Sequence, residues 1–287
     1  MPLIWLKALY FFLVVSLVTI IISMSELYSI DLVRYEISFR NSLNIYEPGW
    51  KILGQLSSFL SFDQFLKFLY VFQACLIALI YKRSASIVFL PFVLLIIAPP
   101  LYTNQLRWGV ATLLVILLSL QGYRFWAILG GVIFHKFAIL LAPIPYFWRR
   151  LDHSFAVMVL VLLSSLSVFL LVGSIEAIFG FSYLADSNTS AGRSLIGLVF
   201  SVLVVVGYFS LPADRRRVEI KVLYIFHLMS AGFGWFAILS GRLSDATVIL
   251  EPFLGYQLLI NKTFFSMLIF FFLVASWIVR IYLVWAP

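Results

Sequence analysis

Apolar runs of about eighteen residues, separated by short polar clusters, set the rhythm of this chain. Ala8 to Met24 is the first. Phe65 to Tyr81, Ser84 to Tyr102, Trp108 to Gln121, Phe155 to Val172, Leu195 to Leu211, Val222 to Leu239 and Thr263 to Trp285 repeat it. The period-two alternation of a membrane β-barrel is absent from every run. The pattern predicts an all-α fold, a polytopic transmembrane helical bundle of roughly nine to eleven membrane segments.

Four stretches break the rhythm. Ser25 to Trp50 is polar, with Glu26, Asp31, Arg34, Tyr35, Glu36 and Arg40 leading to Tyr46-Glu47-Pro48-Gly49-Trp50. Pro48 and Gly49 end any preceding helix, and Lys51 to Phe62 is too short to cross, so an interfacial or re-entrant helix is expected. Pro99-Pro100 is expected to end the run that begins at Ser84. Arg124 to Arg149 has cationic ends on one side and too few residues for two full crossings. Two half-helices meeting at Phe134-His135-Lys136 resolve this, with Gly130-Gly131, Pro143 and Pro145 loosening the backbone. Ala246 to Ile260 carries Glu251 part-way along and is expected to be partly re-entrant.

Composition agrees with the pattern. Hydrophobic residues make up 63% of the 287 and charged residues 11%, with mean hydropathy +1.08. A soluble domain carries about 25% charged residues, and no soluble domain fits beside the crossings. Residues 1–287 therefore read as one integral membrane domain. The first run resembles a secretory signal, but it is long and no small-residue cleavage pattern follows, so a retained span is expected. Cys75 is the one cysteine and excludes an internal disulfide framework.

The net charge of +8 changes the picture through its distribution. Lys82-Arg83, Arg149-Arg150 and Arg215-Arg216-Arg217 lie in short connections, where cations fix the cytoplasmic side. They are not read as a nucleic-acid surface. With those ends inside, polar segments at about 25–50, 103–107, 134–136, 173–194 and 241–245 fall on the outer face. Arg107 in Thr103-Asn104-Gln105-Leu106-Arg107-Trp108 is thus a cation on the side that usually lacks them, and such cations tend to grip anionic substrates. Asp31, Arg34, Glu47, Asn104, Gln105, His135, Arg193, Arg242 and Glu251 join it by the same count. Guanidinium forks match phosphate oxygens, and buried carboxylates or histidine serve as general bases.

Each residue also has a structural account. Asp31, Arg34 and Arg40 suit a solvated loop with local ion pairs, and Glu47-Pro48-Gly49 suits a turn. Arg107 suits a snorkelling cation, His135 a packing histidine, Arg193 a solvated loop residue, and Arg242 a partner for Asp245 or Glu251. His153 and His227 are assigned to the cytoplasmic side, outside any cluster. No metal-ligand spacing, phosphate loop or nucleophile elbow is present, so no metal or other cofactor is expected.

Asp31 with Tyr35, the Glu47-Pro48-Gly49-Trp50 turn, Asn104-Gln105-Leu106-Arg107, Phe134-His135-Lys136 and Gly241-Arg242 occur in an order that resembles the EpsG-like, Wzy-type bacterial polysaccharide polymerases (O-antigen or exopolysaccharide). Trp108 stands where that family often has a second Gln, and Leu32 where Tyr is usual. The resemblance implies a GT-C-like glycosyltransferase of the bacterial inner membrane. It would join repeat units carried on undecaprenyl diphosphate, on the periplasmic face. It implies Glu47, His135 and Asp31 as catalytic candidates. Arg107, Arg242, Arg193 and Arg34 would bind the diphosphate, and Asn104, Gln105 and Tyr35 would position substrate. The lipid-linked oligosaccharide and the bilayer are the implied partners, with a chain-length regulator and a flippase. A transporter or flippase for lipid-linked sugars, and a membrane acyltransferase using His135 as base, are the competing expectations.

Overall fold

The computed structural model describes residues 3–24, 32–40, 47–82, 84–103, 105–141, 144, 191–232, 242–243 and 245–285. The expected crossing Phe155 to Val172 lies outside them. Every regular element among the described residues is helical. Among the described residues, three helices are long and apolar enough to cross a membrane: α1 (Leu3–Met24), α4 (Phe62–Ile80) and α11 (Phe264–Trp285). The chain divides into two compact units, 1–145 with 280–287, and 146–279.

In the first unit, α1 packs on α4, α4 on α6 (Leu106–Leu120), and α6 on α7 (Arg124–Phe134). Two short helices also belong to it, α2 (Leu32–Arg40) and α3 (Pro48–Leu56), the latter packed on α7. The start of α4 is fixed by a reciprocal cap: Ser61 Oγ accepts from the Gln64 amide, and Gln64 Oε1 accepts from the Ser61 amide. The turn from α6 to α7 uses Gly122 at φ 84°. With Gly122 left-handed, its amide reaches Ser119 O and that of Tyr123 reaches Leu118 O, which satisfies two helix-end carbonyls.

The run from Ser84 departs from expectation. A 3-10 turn at Ala85–Phe89 is followed by α5 (Leu90–Ile97) and a π-helical turn at Ala98–Thr103. Pro99-Pro100 widens the helix rather than ending it. At α spacing the donor owed to Ile96 O is Pro100, which has no N–H. At π spacing it is Leu101, which has one.

Of the two half-helices expected in 124–149, the first and the break after it are described, while 142–143 and 145–149 lie outside the described residues. Helix α7 stops at Phe134, His135 is extended (φ −157°, ψ 117°), and Lys136–Leu141 forms a 3-10 turn. Gly131 serves close packing here. A Cβ on it would stand 2.6 Å from Val115 Cγ2 and 2.9 Å from Ala138 Cβ. Lys51 to Phe62 holds the short helix α3 and a turn, as its length requires.

In the second unit, α8 (Ala191–Ser210), α9 (Val218–Gly232) and α10 (Glu251–Asn261) pack on one another. Trp277 of α11 lies against Gly255 of α10. The loop of three arginines is fastened by one of them. Arg216 donates to the carbonyls of Leu211 and Phe209 at the end of α8, with its guanidinium 4.9 Å from the Tyr208 ring centre. The segment expected to be partly re-entrant is a 3-10 turn, Val248–Leu250, followed by α10.

Candidate functional site

Glu47 is the residue around which the first unit's polar groups meet. It stands at the N-cap of α3 because Pro48 cannot donate and suits the first helical position. Its side chain faces away from its own helix start. Oε2 accepts from Arg107 Nη1 at 2.7 Å, and Oε1 from the backbone amide of Lys136 at 3.2 Å. The carboxylate is 11% exposed and the guanidinium 26%. Arg107 lies in the first turn of α6, just outside the apolar run that begins at Trp108. Burial alone would lower its pKa, but charge and hydrogen bonding from Glu47 and Tyr35 more than offset this and raise it. The guanidinium is therefore a permanent cation.

Aromatic packing holds the four contributing segments together. Phe39 of α2 stacks on Phe65 of α4 at 4.7 Å, and Phe65 meets Trp50 of α3 edge-on at 6.5 Å. Trp50 in turn meets Phe134 edge-on at 5.9 Å and donates from Nε1 to Phe134 O at 2.8 Å. That carbonyl belongs to the last residue of α7, so the tryptophan is a side-chain cap on the break. Gly49 permits the approach: a Cβ there would lie 2.6 Å from Ile133 Cγ2 and 2.9 Å from Ile133 O. His135 is buried, with its ring edge-on to Trp108 at 5.4 Å.

The structure thus brings together Glu47, Arg107, Tyr35 and the 134–136 break. Gln105 is the N-cap residue of α6, and its Oε1 is buried without a hydrogen-bond partner. Arg34 is exposed on α2, and the neighbouring Arg40 pairs with Glu36 on the same helix at 2.7 Å. Asp31 and Asn104 lie outside the described residues, as does the side chain of Arg193 at the start of α8. Arg242 belongs to the second unit, where it is half-buried.

His227, expected from sequence on or near the cytoplasmic side and to join no cluster, does have polar neighbours. It is fully buried in α9, with Ser201 Oγ of α8 3.2 Å from Nδ1 and Thr247 Oγ1 3.1 Å from Nε2. Neither hydroxyl carries a sequence signal, because serine and threonine inside apolar helices usually bond their own backbone. Glu251 is also fully buried and accepts from Trp277 Nε1 at 2.6 Å.

No protein-family model, curated protein or solved structure matches this chain. Among the described residues, no group of three or more His, Cys, Asp or Glu is placed to hold a metal ion. What the first unit offers chemically is a shielded guanidinium and a carboxylate in contact, at the mouth of a broken helix. The pair supplies an anion-binding cation and a proton acceptor within one hydrogen-bond length.

Proposed function

We propose that this chain is a membrane glycosyltransferase that polymerises undecaprenyl-diphosphate-linked oligosaccharide repeat units into a surface polysaccharide. One observation carries the reading. Tyr35, Glu47, Arg107 and the Phe134-His135-Lys136 break, which carry the family resemblance in separate stretches, converge on a single ion pair. In this reading the chain is a polytopic GT-C-like bundle of nine to eleven membrane segments in the bacterial inner membrane. Its site faces the periplasm, and it works beside a flippase and a chain-length regulator.

The donor is the growing chain on its lipid diphosphate, and the acceptor is a hydroxyl of the incoming unit. Arg107 binds the diphosphate, which displaces Glu47 from the guanidinium. The released carboxylate accepts the proton of the attacking hydroxyl. The new bond forms from that oxygen to the anomeric carbon, while the bond from that carbon to the diphosphate breaks. The leaving diphosphate keeps the electron pair, and Arg107 neutralises its developing charge. His135 and Asp31 are the other candidate bases. Arg34 is a further candidate anion contact in the first unit, and the resemblance alone puts forward Arg193 and Arg242.

The test is chemical analysis of lipid-linked intermediates in cells carrying Arg107→Ala. Single repeat units on the outer face with no long chains are expected. Units retained on the cytoplasmic face would overturn the reading in favour of a flippase. Normal chain lengths with lost acyl groups would overturn it in favour of an acyltransferase.

A further inference from the structure

The carbonyl of Leu95 lacks its usual donor, since the amide of Ala98 three residues on is given to Leu94 O. At α spacing its partner is Pro99 and at π spacing it is Pro100, and neither carries an N–H. The missing donor arrives from 190 residues downstream, where Trp285 Nε1 donates to Leu95 O at 2.6 Å. Trp285 is the last residue of α11, and both partners belong to the first unit.

The same backbone leads directly into the candidate site. Leu95 is followed by the π turn Ala98–Thr103, and Arg107 lies four residues beyond Thr103. The turn is also seated on the first turns of α6. A Cβ on Gly109 would stand 2.8 Å from Leu101 O and 3.1 Å from Tyr102 Cδ1. A rotation of the π turn is therefore passed to α6 at the point where Arg107 meets Glu47.

We propose that Trp285 is a positioning residue for Arg107, acting as a side-chain clasp on the double-proline turn. The role rests on the reading of Arg107 as the diphosphate contact. An ordinary helical carbonyl needs no clasp, and two consecutive prolines create the need for one. Trp285 answers with its single N–H donor on a rigid ring, which fixes both the height and the azimuth of the turn.

Two variants of the full-length protein in detergent test this. Trp285→Phe keeps most of the ring and removes the donor. Adding Pro99→Ala to it returns a backbone N–H to residue 99, so that Leu95 O regains an α-helical partner. Hydrogen exchange of the amides from Leu101 to Gln105 is expected to quicken about tenfold in Trp285→Phe. It should return towards the parent rate in the double variant. Unchanged exchange in Trp285→Phe would overturn the clasp, whatever the enzyme's reaction.

The positioning role is read by binding of inorganic pyrophosphate and by KM against kcat for the lipid-linked donor. A severalfold weaker pyrophosphate affinity and raised KM, restored in the double variant, are expected. Quickened exchange with both quantities unchanged would leave Trp285 a purely structural residue and overturn the proposal. If the parent protein binds no pyrophosphate and Arg107→Ala changes no product, the reading of Arg107 fails. The positioning role falls with it, while the exchange result separately decides the clasp.

Discussion

Glu47 and Arg107, sixty positions apart in the chain, share a hydrogen-bonded ion pair 2.7 Å long that is largely shielded from solvent. Removing one member leaves the other poorly solvated, whereas removing both leaves neither. Glu47→Ala and Arg107→Ala are each expected to destabilise the first unit by about 1–3 kcal/mol. The double variant should lose less than the sum and should have no polymerising activity. Thermal unfolding in detergent, measured over the full cycle, checks the coupling. Additive losses would mean that the pair contributes nothing as a pair.

Arg107→Lys keeps the charge and loses the planar fork. The lysine is expected to preserve most of the stability, yet to lower turnover of the lipid-linked donor at least tenfold. An in vitro chain-length assay reads this directly, and wild-type turnover in the lysine variant would remove the bidentate contact from the mechanism.

Gly49→Ala should act through packing. The new methyl meets the Ile133 carbonyl as well as its side chain, and a backbone atom cannot rotate away. Displacing α3 from α7 strains the Trp50–Phe134 bond and lengthens the Glu47–Lys136 bond together. A loss of about 1–3 kcal/mol is expected, with reduced activity although position 49 bears no reacting group. Tryptophan fluorescence of the Trp50 environment, against a Trp50→Phe control, reports the displacement.

In the second unit, Ser201→Ala and Thr247→Ala each remove one hydroxyl from the buried His227. Each should cost about 1–2 kcal/mol. Because the two hydroxyls meet opposite nitrogens of one ring, their effects should be coupled through its tautomer. Imidazole nitrogen-15 shifts of His227 measure this: each substitution should move both resonances. If each moves only the nearer one, the coupling is absent.

The all-helical character and the longest apolar helices were legible because a helix long enough to cross a membrane needs a long apolar run. Runs at Ala8, Phe65 and Thr263 correspond to α1, α4 and α11 within a few residues. The break at His135 was legible from length, since 124–149 cannot hold two crossings. The π turn was not. Two prolines normally signal an end, and only the distant donor at Trp285 makes continuation tolerable. The meeting of Glu47 with Arg107 was foreshadowed only by the expectation that both fall on one face of a membrane. Its distance depended on Gly49, Trp50 and Phe134, whose spacing carries no signal of contact. The hydroxyl cluster at His227 was hidden for another reason: an isolated histidine in an apolar run looks the same whether or not serine and threonine arrive from other helices.

Helices α1 and α11 bury only 17% and 22% of their membrane-length windows, against 56% for α4. Phe12, Phe264, Phe271 and Tyr282 stand among their outward residues. That outer surface constrains its side chains through solvent compatibility rather than shape. Such positions are expected to tolerate exchange among bulky apolar residues, while α4 is confined by its neighbours. The same surface sets an expectation for handling: with α1 and α11 long and apolar enough to cross a membrane, the protein is expected to need detergent to stay in solution, and removing the detergent to precipitate it before the polar site is disturbed.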